Sequence, residues 1–268
     1  MRRPAPLQPV PLGDVDPFRP DPARPVRVRS RAMPADTHFE PHRHPWAQLA
    51  YCASGIVQVS AERSTYIVPP SRAVWIAPGL RHSVHVLEDA AFRTLYIDAS
   101  AAPAGWSSCR VIVVSPLLRE LVHSLDDAAP GSAREALLTS LVLDEIGAAS
   151  TQHLGVPLPD AQTGDKRLRA VCEAVLRAPA ERATLAACAS EAGASERTLA
   201  RLFRDELGTS YQQWRQQAVL AHALPMLARG LPVSQVAAAS GYASDSAFTA
   251  MFKSAMGQPP SEFRAARA

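Results

Sequence analysis

The chain has 268 residues, 47% of them apolar, and a formal net charge of +3, which allows two modest domains with sizeable cores. Four widely spaced cysteines (Cys52, Cys109, Cys172, Cys188) without a C-x-x-C pair read as reduced core residues and not as a disulfide framework, and no apolar run approaches ~18 residues, so no membrane span is expected. The charge is uneven: residues 1–160 carry 15 basic against 16 acidic side chains, and residues 161–268 carry 13 against 9, the asymmetry of a C-terminal part that meets nucleic acid.

Residues 1–25 contain eight prolines and few large apolar groups, so a flexible tail is expected there. Pro4, Pro6, Pro9 and Pro11 follow Arg2 and Arg3 and interrupt any signal-peptide core, which points to a soluble, cytoplasmic protein. Residues 26–100 have the texture of strands: VRVRS, AQLAYCASG, IVQVSA, STYIVPP, AVWIAPG, HSVHVL and FRTLYIDA, separated by Gly, Pro and charged turns. That pattern predicts an all-β barrel or sandwich. Inside it, FEPHRHPWAQLAYCASG places His42 and His44 two residues apart, so on a strand both imidazoles leave the same face.

The period then changes. SPLLRELVHSLDDA (115–128) and SAREALLTSLVLDEIGAAS (132–150) space Leu and Val as helices do, with Leu137, Leu138, Leu141, Val142 and Ile146 as one apolar stripe. Residues 101–164 are therefore read as a helical linker, ending in GVPLPDAQTG, whose stripe packs on its own domain or supplies a homodimer seam. From 165 to 268 the pattern is helical throughout, in seven short helices, giving an α+β multidomain chain with an all-α C-terminal domain.

That domain contains a repeat. ASERTLARLFRDELG (194–208) aligns with ASDSAFTAMFKSAMG (243–257) at an offset of 49, matching Ser195 with Ser244, Phe203 with Phe252, Arg204 with Lys253 and Gly208 with Gly257. Each unit reads as helix, Gly-containing turn and Ser-capped second helix. Leu199, Leu202, Phe203 and Leu207 share one side of the first second-helix, leaving Arg197, Arg201 and Arg204 on the other; in the copy Phe248, Met251 and Phe252 face inward and Ser246, Thr249 and Lys253 outward. An arginine stripe on such a helix suits phosphates and guanine edges in a major groove.

Residues 166–266 closely resemble the DNA-binding domain of AraC/XylS-type transcription regulators, on LAACASEAGASERTLARLFRDELGTSYQQWRQQ, VSQVAAASGYASDSAFTAMFKSAMGQPPSEFR and the ending Gly257, Pro260, Phe263, Arg264. The resemblance implies two helix-turn-helix units on a long connecting helix, with recognition helices at 196–206 and 245–255 entering successive major grooves of promoter DNA. Carried onto this sequence, the contacts are Arg197, Thr198, Arg201 and Arg204 from the first unit and Ser244, Asp245, Ser246, Thr249 and Lys253 from the second. Asp245 is equally readable as a helix cap, and Pro225 departs from the family pattern within the connecting helix.

The β-rich part resembles a cupin, the jelly-roll sensor domain common in these regulators. His42, His44 and Gly55 match its first motif, Gln48 stands where the family has a glutamate, and Pro78-Gly79-x-x-His82 approximates its second. The resemblance implies His42, His44, Gln48 and His82 as ligands of a divalent transition metal (Zn²⁺, Ni²⁺ or Fe²⁺), or else a metal-free effector pocket, with Trp46, Tyr51, Trp75 and Tyr96 as lining. His85, three residues beyond His82, is expected on the opposite strand face. Regulators of this kind often control a neighbouring transport or efflux gene and, where they activate, contact RNA polymerase. The competing reading, a cupin oxygenase or isomerase with a helical appendage, requires a carboxylate that Gln48 does not supply.

Overall fold

The computed structural model describes residues 9–10, 13–61, 64–152, 155–160, 163–181 and 184–265. The chain divides into two units, residues 1–62 with 66–155 and residues 63–65 with 156–268.

The first unit is built on antiparallel strands: β1 (Pro9–Val10), β2 (Val26–Met33), β3 (His38–His42), β4 (Ala47–Ala61), β5 (Ser64–Val68), β6 (Arg72–Ile76), β7 (His82–Ile97), β8 (Arg110–Val113) and β9 (Thr151–Gln152). They run in the order β1-β3-β7-β4-β6-β8-β9, with β2 added to β7 and β5 to β4, and only the β1–β3 pairing is parallel among those registered. Strands β4 and β7 pair along their length, with register shifts between Cys52 and Val57 that bend both. Gly55 sits in that bend at φ +79°, where a Cβ would stand 2.3 Å from the Asp89 carbonyl oxygen and 2.4 Å from Ala90 Cα. Only glycine fits there.

Either side of the bend, β7 changes partner: His82–His85 lie beside β3, and Ala90–Ile97 beside β2. Two half-sheets result, enclosing Phe39, Val57, Val84 and Val86 from one and Ala50, Cys52, Val74, Ile76 and Phe92 from the other. The outer face of the second half carries Leu49, Tyr51, Trp75, Leu95, Ile97 and Ile112, covered by α1 (Pro116–Asp126) and α2 (Ala133–Ala148).

Two expectations are corrected here. The stretch 101–164 is not mainly a linker: it supplies β8 and β9, and Leu118, Leu121, Val122, Leu125, Leu138, Val142 and Ile146 of α1 and α2 pack on the sheet. At about 1.5–3 kcal/mol per buried side chain, that face is worth on the order of 10–20 kcal/mol of gross burial, which makes the helices part of the first unit. The predicted five-residue stripe spans roughly half the helix circumference, so Leu138, Val142 and Ile146 are buried while Leu137 and Leu141 are 69% and 50% exposed. The expected tail is also partly ordered. Residues 1–8 and 11–12 lie outside the described residues, but Pro9–Val10 pairs with β3, Pro17 O accepts from Arg27 Nη2 (2.9 Å), Phe18 lies under the Arg29 guanidinium (5.1 Å), and Arg24 pairs with Glu135.

The second unit has, among its described residues, the seven helices expected: α3 (Lys166–Arg177), α4 (Leu185–Glu191), α5 (Glu196–Leu207), α6 (Tyr211–Ala228), α7 (Val233–Ala239), α8 (Asp245–Met256) and α9 (Pro260–Ala265). The α4–α5 pair closes on Leu168, Val171, Cys172, Cys188, Leu199, Phe203 and Trp214. The α7–α8 pair closes on aromatic edges, with Tyr242–Phe248 at 5.6 Å, Phe248–Phe252 at 5.9 Å and Phe252–Phe263 at 5.7 Å between centroids. Helix α6 starts in a capping box of Ser210 and Gln213 and continues through Pro225, which stands in its last turn, so only one backbone bond near the end is lost.

Candidate metal centre and nucleic-acid interface

The β3–β7 register pairs His42 with His82, and the first half of β4 brings Gln48 onto the inner face; His44 lies in the β3–β4 turn. The three imidazoles converge, with ring centroids 4.3 Å apart for His42–His82, 5.1 Å for His44–His82 and 6.1 Å for His42–His44. Their ligand nitrogens all lie within 4.8 Å of one another. His44 and His82 are buried and His42 half-buried.

Each histidine uses its Nδ1 in the same way. A carbonyl oxygen can only accept, so His42 donates Nδ1–H to Glu40 O (2.8 Å), His44 to Trp46 O (2.7 Å) and His82 to Leu80 O (3.0 Å). The Nε2 atoms are left as lone-pair donors. Burial, first of all, lowers the His44 pKa and pushes His82 down to about 3, so at neutral pH neither carries a proton on Nε2. Yet His44 Nε2 stands 2.9 Å and His82 Nε2 3.1 Å from the same atom, Gln48 Oε1, itself an acceptor. Three lone pairs and an amide oxygen thus surround one point. Two arrangements satisfy it: a cation among the acceptors, or the Gln48 amide turned so that its NH₂ serves both imidazoles. Backbone-anchored Nδ1–H groups with free Nε2 atoms are the usual dress of metal-binding histidines, and three imidazole nitrogens with one amide oxygen are donors that a divalent transition metal accepts, so the residues fit such a metal.

The sequence-predicted pocket aromatics divide. Trp46 stacks on His44 (5.1 Å, 7° between planes), and Tyr96 meets both rings edge-on at 5.7 Å. Tyr51 and Trp75 do not belong here: Tyr51 is three residues from Gln48 and Trp75 pairs opposite Leu49, so both point to the outer core against α1 and α2. His85 is outside the centre, as expected, beside His38 (5.9 Å) and Asp36 (3.8 Å). Two residues absent from the sequence reading, Arg29 and Arg31, line a small cavity together with His42, Gln48, Thr94 and Tyr96. The alternation in VRVRSR was the available signal, since it sets Arg27, Arg29 and Arg31 on the face opposite Val26 and Val28.

In the second unit Ser195 caps α5 through Thr198 N (3.1 Å), and Ser244 caps α8 through Ala247 N (3.3 Å). Gly208 and Gly257 end the two helices in the left-handed conformation. Arg197, Arg201 and Arg204 are exposed, as are Asp245, Ser246 and Lys253, while Thr198 and Thr249 are half-buried. The cap of α8 is Ser244, so Asp245 is a first-turn residue whose charge favours the helix N-terminus, and the Ser244 hydroxyl is engaged in the cap. Met251, expected inside, is half-buried: with Ala200 and Arg204 of α5 and Gln212, Gln213 and Gln216 of α6 it lines an open cleft of about 760 Å³. Both second helices therefore border one concave side. Arg215 of α6 donates to Pro179 O (3.3 Å) and Ser240 O (3.2 Å) and lies 6.0 Å from the Tyr242 ring centre. A Cβ on neighbouring Gly241 would stand 2.9 Å from Ala180 Cα, so the α7–α8 turn is seated against the α3–α4 connection.

Residues 24–198 match the model of an AraC-like ligand binding domain, and residues 188–266 that of a helix-turn-helix domain. The chain is 34% identical over 224 residues to the HTH-type transcriptional regulator NimR of Escherichia coli, spanning 83% of this chain and 81% of that protein. It is 34% identical over 107 residues to the HTH-type transcriptional regulator RipA of Corynebacterium glutamicum, 40% of this chain and 31% of that one. Among solved structures, a DNA-binding transcriptional dual regulator from Escherichia coli K-12 aligns at 28% identity and a TM-score of 0.36, over 40% of this chain and 97% of that chain. No helix among the described residues is long and apolar enough to cross a membrane. The chain belongs to the AraC-type family of DNA-binding transcriptional regulators, not to an enzyme family, with an N-terminal effector-binding domain and a C-terminal helix-turn-helix domain.

Proposed function

We propose that the chain is a cytoplasmic one-component regulator whose first unit senses a divalent transition metal, Zn²⁺, Ni²⁺ or Fe²⁺, at His42, His44, His82 and Gln48. The observation that carries this reading is the crowd of acceptors: neutral His44 and His82 both turn Nε2 toward Gln48 Oε1. A bound metal supplies the positive charge that those lone pairs share. The chain's own backbone does the orienting, through the carbonyls of Glu40, Trp46 and Leu80 that fix all three tautomers. An effector that binds one arrangement of the protein better shifts the population toward it.

In this reading α5 and α8 enter successive major grooves of promoter DNA. Arg197, Arg201 and Arg204 meet bases and phosphates with Thr198, and Asp245, Ser246, Thr249 and Lys253 do so from α8, with Ser244 holding the helix start. Leu117, Leu137 and Leu141, 50–69% exposed on α1 and α2, form the seam of a homodimer. A transport or efflux gene is the regulated class, with RNA polymerase as a further partner where the effect is activation.

The test is metal content of tag-free protein, by mass spectrometry, beside the His42→Ala/His44→Ala variant. About one metal per chain in the wild type and none in the variant supports the reading. Equal, negligible metal in both, with retained binding to a promoter fragment, removes the metal and leaves the regulator.

A further inference from the structure

We propose that the two second helices read different bases: guanine under α5, through Arg197 and Arg201, and the methyl groups of thymine under α8, through Ala250. This rests on reading both as major-groove helices, and adds which base pairs each half of the operator presents. At the offset of 49 that matches the two units, the outward stripe carries Arg197, Arg201 and Arg204 in α5 and Ser246, Ala250 and Lys253 in α8, all of them exposed. The frame around the stripes is the same. Leu199 and Phe203 are buried under α5 and Phe248 and Phe252 under α8, a serine caps each start, and a left-handed glycine ends each helix.

What the two helices share is an acid in the first turn, Glu196 or Asp245, and a cation in the last, Arg204 or Lys253. Base edges are met by the N-terminal turns of such a helix, so the last-turn cation suits a phosphate, which arginine and lysine both hold. What α8 lacks is both guanidiniums of the first two turns. An arginine there donates to both acceptors of guanine, O6 and N7, which neither serine nor alanine can span. Ser246 has little reach to spare, since its hydroxyl lies 3.2 Å from that of the capping Ser244. The Ala250 methyl, at the centre of the stripe, is an exposed apolar group, and Ala247, one turn earlier on the same side, extends it. The major-groove feature complementary to such a surface is the C5-methyl of thymine. With no long side chain between, α8 must also lie nearer its bases than α5 does.

The experiment is selection of binding sites from random duplexes by the full chain, then gel shifts of the selected duplex at fixed salt with base analogues placed in one half-site at a time. Deoxyuridine for thymidine removes only the C5-methyl, and 7-deazaguanine removes only the N7 acceptor. The expected result is conserved G·C pairs in one half-site and conserved T·A pairs in the other. 7-Deazaguanine should weaken binding about tenfold in the first. Deoxyuridine should weaken it about fourfold per methyl in the second, the worth of one buried methyl group. Repeating the selection with Arg201→Ala should relax the guanine half-site alone, and Ala250→Arg should replace thymine by guanine in the other alone. The analogue arm uses wild-type protein, so it decides the matter even if Ala250→Arg does not fold. A second half-site that is conserved yet tolerates deoxyuridine throughout overturns this proposal and leaves α8 in its groove. A pool without a second conserved half-site, or one that neither variant alters, overturns the major-groove reading of the helices and this proposal with it.

Discussion

Arg215 ties the second helix-turn-helix to the first, and replacing it with alanine tests whether that tie matters for DNA. The guanidinium reaches Pro179 O at 3.3 Å and Ser240 O at 3.2 Å, joining the α3–α4 connection to the end of α7, and it packs near Tyr242. Hydrogen bonds from a charged donor contribute about 1.5–3 kcal/mol each; these two are long and the side chain is half-buried, so about 2 kcal/mol for the pair is the reasonable scale. Ser240 is fully buried, so water replaces its lost partner poorly. Without the tie, the α7–α8 turn keeps its packing on α6 and the close approach of Gly241 to Ala180 but loses its hydrogen-bonded link to the α3–α4 connection, so the angle between α5 and α8 is less firmly set before DNA arrives. Restoring that angle on binding consumes affinity: about 1.4 kcal/mol appears as tenfold. The expected outcome for Arg215→Ala is a footprint retained over the half-site read by α5, protection over the α8 half-site lost or weakened about tenfold, and a lower unfolding midpoint. Arg215→Lys keeps the charge but not the fork and should fall between. Full protection of both half-sites at wild-type concentration by Arg215→Ala would refute the reasoning.

Arg201→Ala is expected to cost about 1–3 kcal/mol of operator affinity if it reads a base, and to lower the salt slope by about one if it meets a phosphate; gel shifts at several salt concentrations separate the two, and no change in either removes Arg201 from the interface. Gly55→Ala, forced against the Asp89 carbonyl at φ +79°, should destabilise the first unit by about 2–4 kcal/mol, and an unchanged thermal midpoint would contradict the bend described here. In metal-free protein, His82 (about 3 in the fold against 6.5 unfolded) and His44, shifted the same way, leave the unfolded chain binding more protons; stability present above pH 6.5 is lost as pH falls toward 3, His82 alone giving about 1.4 kcal/mol per unit. Urea midpoints at pH 7.5 and 5.5 check that sign. Leu137→Glu with Leu141→Glu should convert a dimer to monomer in light scattering: four half-exposed leucines at roughly 1 kcal/mol each amount to about a thousandfold in dissociation constant.

What the sequence made legible was mostly local. Both second helices announce themselves through a serine cap, an apolar 3–4 spacing and a terminal glycine bracketing a twelve-residue helix, and their boundaries follow to within a residue or so. His42 and His44 were legible through their spacing, and Gln48 only through the resemblance, as the residue standing where that family has a glutamate. The arrival of His82 was reached only through resemblance, because it depends on β7 folding back beside β3 in the register His42–His82, forty residues away. Register also explains the failures. Tyr51 was misplaced although its parity with Gln48 already put it on the opposite face; Trp75 was misplaced because its face is set by the β4–β6 pairing with Leu49, which no local signal reports. The apparent linker contained β8 and β9 for a similar reason: four- and two-residue strands carry almost no period, and they exist because the sheet edge beside β6 has backbone groups to satisfy.

The arginines of β2 show where parity and chemistry combine. Along Val26-Arg27-Val28-Arg29-Ser30-Arg31, the valines sit with the outer core, so the arginines must point toward the interior of the roll. Their heads are tied down there: Arg27 Nη2 donates to Pro17 O, Arg29 lies over the Phe18 ring and Arg31 near the Phe39 ring. Beside Arg29 and Arg31 lie His42 and Gln48, which share their small cavity, next to His44 and His82, both shifted toward the neutral form by burial. The histidines stand on the half-sheet of β3 and the arginines on that of β2, and it is the fold of β7 between them, bent at Gly55, that brings the two sets face to face.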